Sequence, residues 1–209
     1  DLVGEDLTGP AVGSPVAGDW ESLYLQAGSD ASILRNVVIR YAGSSAGPNA
    51  GAQNSTPGLS ISGASPTLSD IRIEDSRWVG LRVVGGAPTI QNLDIRRSGS
   101  WPVYLDLAAA PKISGLVSTD NASEGILVDR GTLPADRTWD QTSLPYVLSG
   151  GNRFDNGILL TIPESVTLTL KPGVVVKLAN EMALNVLGTL NAVGTAAQPI
   201  YLTSWQDDS

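Results

Sequence analysis

Carboxylates, arginines and lysines are the only side chains in this sequence equipped for acid–base or strong electrostatic chemistry. The chain holds no His and no Cys. Catalytic triads, imidazole acid–base schemes, thiolate chemistry and most metal sites are therefore excluded, and every Ser hydroxyl lacks a base. The acids and bases recur in columns. At successive offsets of 34, 22 and 23 residues, Arg40 falls in line with Glu74, Arg96 and Thr119, while Tyr41 falls in line with Asp75, Arg97 and Asp120. Arg72 stands beside Asp94 in a third column. A catalytic groove would concentrate acids, to hold calcium, beside an unpaired base. Alternating signs are instead what a solvated face needs to avoid stacking like charges, so these columns are expected to be structural and to lie on the outside, with Arg96 against Glu74 and Arg97 between Asp75 and Asp120.

Three other groups invite a functional reading. Asn36, Asp70 and Asn92 recur at one position and could ligate a sugar, but corner residues of this type more often hydrogen-bond the turn backbone. Trp20, Trp78 and Trp101 line up and could form an aromatic platform for carbohydrate rings, although Trp at a strand edge more often packs over the rim of the core. Asn54-Ser55-Thr56 and Asn121-Ala122-Ser123 match the glycosylation pattern. Finally, Asp207 and Asp208 near one end and Asp1, Glu5 and Asp6 near the other would offer hard oxygen donors suited to calcium if copies of the chain followed one another. The alternative for these five is a solvated loop between units.

The columns exist because the sequence repeats. Gly58 to Ser76 (GLSISGASPTLSDIRIEDS) and Gly80 to Ser98 (GLRVVGGAPTIQNLDIRRS) are copies at an offset of 22. Trp101 and Pro111 continue the register 23 residues on from Trp78 and Pro88, and Leu34, Asn36, Val37 and Ile39 precede it by 34. The extra residues of that earlier interval fall in a Gly/Ser/Asn/Pro run, Ser44 to Pro57, which reads as a projecting loop. Four coils thus share one template between Asp19 and about Gly125.

Within each coil, apolar residues alternate over short stretches: Leu59 and Ile61, Leu81 and Val83, Ile71 and Ile73, Leu93 and Ile95. Period-two alternation with β-branched residues predicts strands with one buried face. No helical periodicity of useful length is present, and 23 Gly and 13 Pro interrupt any candidate. Copies of one strand running the same way stack in parallel, so the expected fold is all-β, a right-handed parallel β-helix or solenoid. From about Gly157 the segments become plainer and the turns shorter. The polar stretch between the two zones still supplies Leu144, Tyr146, Val147 and Leu148 to a buried strand, and residues 1–209 are expected to form a single module.

Composition sets outer limits. The net charge of −8 argues against nucleic acid, whose phosphates need clustered Lys and Arg. No apolar run reaches the ~18 residues of a membrane span, and no signal-peptide pattern is read.

The segment from Leu160 onward reads Leu160-Thr161-Ile162, Pro172-Gly173, Val175-Val176-Lys177, Gly188-Thr189-Leu190, Gly194-Thr195, Pro199-Ile200, Thr203-Ser204 and Asp207-Asp208. Gly18-Asp19-Trp20 and Asn36-Val37-Val38-Ile39-Arg40-Tyr41-Ala42-Gly43 lie near the start. In this order the motifs resemble the tandemly repeated parallel β-helix modules of bacterial exported and cell-surface proteins, a pectin-lyase-like fold. The resemblance is circular, the last motif running on into the first. It implies one unit of a longer tandem array, with neighbouring copies as head-to-tail partners, an extracellular or cell-surface location and no catalytic residues. The expected function is a structural segment of a surface fibre. A carbohydrate-binding or adhesive module is the first alternative, and a polysaccharide lyase or hydrolase, which would share the fold, is the second.

Overall fold

A computed structural model describes residues 14–44, 55–148, 158–179 and 183–208. Among them there is no helix, and every strand pairing is parallel. The first half is built from pairs, each a short strand followed by a long one: β1 (Leu23–Gln26) and β2 (Ile33–Arg40), β3 (Leu59–Ser62) and β4 (Thr67–Glu74), β5 (Leu81–Val84) and β6 (Thr89–Arg96), β7 (Val103–Leu105) and β8 (Lys112–Thr119). The second half is built from triplets: β9 (Ile126–Val128), β10 (Gly131–Thr132) and β11 (Arg137–Trp139); β12 (Tyr146–Leu148), β13 (Ile158–Ile162) and β14 (Thr167–Leu170); β15 (Val175–Leu178), β16 (Ala183–Val186) and β17 (Thr189–Ala192). The strand β18 (Tyr201–Ser204) follows.

The first member of every pair and triplet, with β18, joins one eight-stranded sheet in the order β1-β3-β5-β7-β9-β12-β15-β18. The long strands form a four-stranded sheet, β2-β4-β6-β8. In the second half its place is taken by two three-stranded sheets, β10-β13-β16 and β11-β14-β17. The change of pattern therefore falls near Gly131, earlier than the Gly157 expected from the sequence. Tyr146–Leu148 is a buried strand between β9 and β15, as expected.

The register matches the sequence repeat. Leu59 pairs with Leu81 and Ile61 with Val83; Ile39, Ile73 and Ile95 succeed one another across β2, β4 and β6. These side chains are buried, and one continuous aliphatic cluster runs from Leu25 to Val176. Like stacked on like fills the interior with aliphatic side chains, and the small hydroxyls of Ser76 and Ser98 are buried at its margin beside Gly58 and Gly80. Gly80 is required by this closeness: a Cβ there would lie 2.5 Å from Ile95 Cγ2 and 2.8 Å from the Pro102 carbonyl.

Simple alternation fails in the long strands, and the reason is structural. Leu68 and Ile71 are three residues apart, so a regular strand would send them to opposite faces. Both are nonetheless buried. Between them Asp70 adopts φ 56°, and the equivalent residues Asn36, Asn92 and Gly115 adopt 53°, 54° and 65°. One left-handed residue in the middle of each long strand bends it, so that both legs present their apolar side chains to the same interior. Asn, Asp and Gly are the types that tolerate this conformation. A second left-handed column, Tyr41, Asp75, Arg97 and Asp120 (φ 52° to 59°), turns the chain again just past each long strand.

Candidate functional site

The charged columns occupy the leg of the four-stranded sheet between these two bends. Ladder pairing places Arg40 opposite Glu74 and Glu74 opposite Arg96. Arg40 Nε donates to Glu74 Oε2 at 2.7 Å. Arg72 and Arg97 approach the same carboxylate at 3.7 and 3.6 Å. Three half-exposed guanidinium groups thus roof Glu74, which is only 5% exposed. This corrects the expectation of a wholly outer, solvated face, because the arginine stems cover the acid at the middle of the cluster.

Arg96 also departs from expectation. Although it stands opposite Glu74 in the ladder, its guanidinium turns back along its own strand to Asp94, with Nε to Oδ1 at 2.8 Å and Nη2 to Oδ2 at 2.7 Å. Residues two apart on a strand share a face, and the bidentate fork suits a carboxylate. Asp94 binds Arg72 as well, at 3.2 Å. Arg97 meets Asp75 as expected, at 2.7 and 3.0 Å. That bond holds the Asp75 carboxyl below the usual carboxylate range, and the Arg97 guanidinium is correspondingly harder to deprotonate. Asp120 acts on Arg97 only through its field. Within this network no acid stands beside an unpaired base.

The Asn36, Asp70 and Asn92 side chains lie beside one another in a shallow exposed groove. Asn92 Nδ2 donates to Asp70 Oδ1 at 2.8 Å. The bond runs from side chain to side chain up the column rather than to the turn backbone, so the expected contact is corrected while the structural role stands: these residues are present for their φ.

The three tryptophans do not make a common platform. Trp20 is exposed and donates from Nε1 to the Arg40 carbonyl at 2.6 Å. The Arg77 guanidinium lies over Trp78, 5.9 Å from the ring centroid. Trp101 packs against a small second cluster of Val79, Tyr104 and Leu127 on the outer side of the eight-stranded sheet. Asn121 of the second sequon is fully engaged, accepting from Ser98 N–H and donating to the Ile95 carbonyl and Ser118 Oγ. Asn54 of the first lies outside the described residues.

Of the five calcium candidates, Asp1, Glu5 and Asp6 lie outside the described residues. Asp207 Oδ2 accepts from the Thr203 hydroxyl at 2.6 Å, and Asp208 meets Lys177 at 3.4 Å. Among the described residues no group of three or more metal-ligating side chains converges, and no helix is long and apolar enough to cross a membrane.

Two features were not legible in the sequence. The first is where uncovered apolar side chains collect. Val16, Trp20, Tyr24, Ile33 and Val38 lie at or near β1 and β2, and Val186, Leu187, Val193, Tyr201, Leu202 and Trp205 at or near β16, β17 and β18; among the described residues only Val117 is elsewhere. Among the described residues those strands are the outermost members of their sheets. The second is a cavity of about 290 Å³ where β8 ends one sheet and β11 begins another without pairing. Leu105, Ile113, Ile126, Val128 and Leu133 contribute to its lining, as does Trp139, which stacks on Tyr146 at 4.6 Å. The only sequence sign of it is that the polar stretch from Asp129 to Gly157 matches the repeat weakly.

No family model matches the chain, and neither the curated proteins nor the solved structures yield a match.

Proposed function

We propose that the parallel sheets wind as a right-handed parallel β-helix, a solenoid, and that the chain serves as a structural module stacked end to end with neighbouring copies in an extracellular or cell-surface fibre. The observation that carries this reading is the distribution of exposed apolar residues. They collect on the outermost strands of the stack, whose outer edges pair with no other strand among the described residues and are suited to receive another strand. The columns are suited to continuation. Leu202 of β18 stands in the inward column that passes through Val176, Tyr146, Ile126, Val103, Leu81 and Leu59 to Leu23 of β1. A further copy would set Leu23 on Leu202, apolar on apolar, and cover both. The paired state of the charged columns supports a mechanical rather than a catalytic role, and the resemblance of the motifs to surface modules supports the location.

A tandem of two copies tests this directly. Its junction should cover one pair of open ends, so it should melt several degrees above the single chain and with greater cooperativity, because solenoid stability grows with each buried interface. Leu202→Arg in the first copy should abolish the gain. Two copies melting independently at the single-chain temperature would sink the stacking reading.

A further inference from the structure

The break between β8 and β11 concentrates features that the stacking role does not use. The two strands are sheet edges that do not pair with each other; Gln141 reaches across to β8, and Arg137 to the loop that precedes it. Gln141 Nε2 donates to the Ile113 carbonyl at 2.6 Å. Arg137 Nη2 donates to the Leu107 and Ala108 carbonyls at 3.2 and 3.4 Å. The gap left between them is the cavity of about 290 Å³. A dry cavity of about 150 Å³ suffices for benzene, and ligand pockets begin near 300 Å³.

The charge arrangement selects among ligands. Arg137 is half-buried, and among the described residues no carboxylate pairs with it; its only acceptors are the two neutral carbonyls. Its Nε is buried without a partner, and burial makes its charged form harder to keep, with Asp106 only partly offsetting this through its field. Two of the acids lining the cavity are already engaged: Asp106 accepts from Gly85 and Ala109 N–H, and Asp136 from Thr167 N–H. Asp140 lies exposed and accepts from Gln141 Nε2. Three acids and two cations line the cavity, and the lining group left with an unused buried donor is Arg137, whose Nε–H is free to meet a ligand oxygen beside the buried Ile113, Leu133 and Trp139.

We propose that this cavity binds a small carboxylate with an apolar body, the carboxylate paired with Arg137, assisted by Lys112, and the body set against Ile113, Leu133 and Trp139. A carboxylate accepts paired N–H bonds from arginine in a geometry a neutral hydroxyl cannot match. The site is independent of end-to-end stacking, so failure of either proposal leaves the other standing.

Benzoate, benzyl alcohol and benzylamine form a size-matched probe set for calorimetric titration into the full chain. Benzoate should bind with a dissociation constant in the millimolar range or tighter, and the alcohol and the amine at least tenfold more weakly. Arg137→Gln should remove the preference for benzoate, and Ala110→Phe, which fills the cavity and leaves Arg137 in place, should remove binding of all three. Should Arg137→Gln fail to fold, Arg137→Lys and Ala110→Phe decide the matter, the first retaining part of the benzoate preference. Absence of benzoate binding, equal or tighter binding of benzylamine, or benzoate binding unaffected by Ala110→Phe would overturn the proposal.

Discussion

Arg40 and Glu74 are 34 residues apart in sequence, yet Arg40 Nε lies 2.7 Å from Glu74 Oε2. The contact exists because parallel register sets one long strand on the next, residue for residue. Glu74 is also the point where register alone stops predicting environment, since Arg72 and Arg97 close over it from its own strand and from the bend beyond the following one.

Glu74 and Arg97 should therefore respond unequally to substitution. Glu74→Gln removes the charge that three guanidinium groups share and should cost about 1–3 kcal/mol in a denaturant melt. Arg97→Ala, at a half-exposed position, should cost on the order of 1 kcal/mol or less. A Glu74→Gln variant no less stable than Arg97→Ala would show that the roof over Glu74 does not form in solution.

Ile95 sits between Ile73 and Ser118 in the ladder and is completely buried. Ile95→Ala should lower stability by about 2–5 kcal/mol through lost burial and the cavity left behind. Ile95→Asp should prevent folding, because no cation lies inside the aliphatic cluster to meet the charge. A cooperative melt of Ile95→Asp close to that of the parent chain would contradict the described register.

Asn92 makes a prediction in the opposite sense to its chemistry. At φ 54° an alanine would be strained by about 1–2 kcal/mol, whereas glycine already occupies the equivalent position at Gly115. Asn92→Gly should be clearly more stable than Asn92→Ala by thermal melting, even though it loses the bond to Asp70 equally. The reverse order would show that the side-chain ladder, not the bend, is what the position requires.

Alkaline pH should unfold the chain through its buried phenols. Burial pushes Tyr146 up to about 12, and two N–H donors, from Asp140 and Gln141, offset this only in part. Tyr104 is raised in the same sense, chiefly by burial and then by Asp129. The folded state thus holds the proton of Tyr146 more tightly than the unfolded state, whose value is near 10. Its contribution is complete below about pH 10 and is lost as pH rises from there through about 12. The loss should be on the order of 3 kcal/mol for Tyr146, and Tyr146→Phe should flatten the decline in a stability profile. An unchanged profile would place the phenol in solvent.

The sequence alone determined the all-β character, the parallel order and the residue-by-residue alignment of Ile39, Ile73 and Ile95, because copies of one alternating segment can align their apolar faces in only one register. It also contained the mid-strand bend, in legible form, as an Asx or Gly between two apolar residues spaced three apart, where strict alternation breaks down. The tertiary structure decided the rest. Which carboxylate Arg96 takes depends on competition between its own strand and its neighbours, and a column assignment carries no information about that choice. How far Glu74 is buried depends on where three long side chains lie once the chain has turned at Asp75 and Arg97. The cavity beside Arg137 depends on two strands that fail to pair, and so belongs to the space between segments rather than to the residues of either.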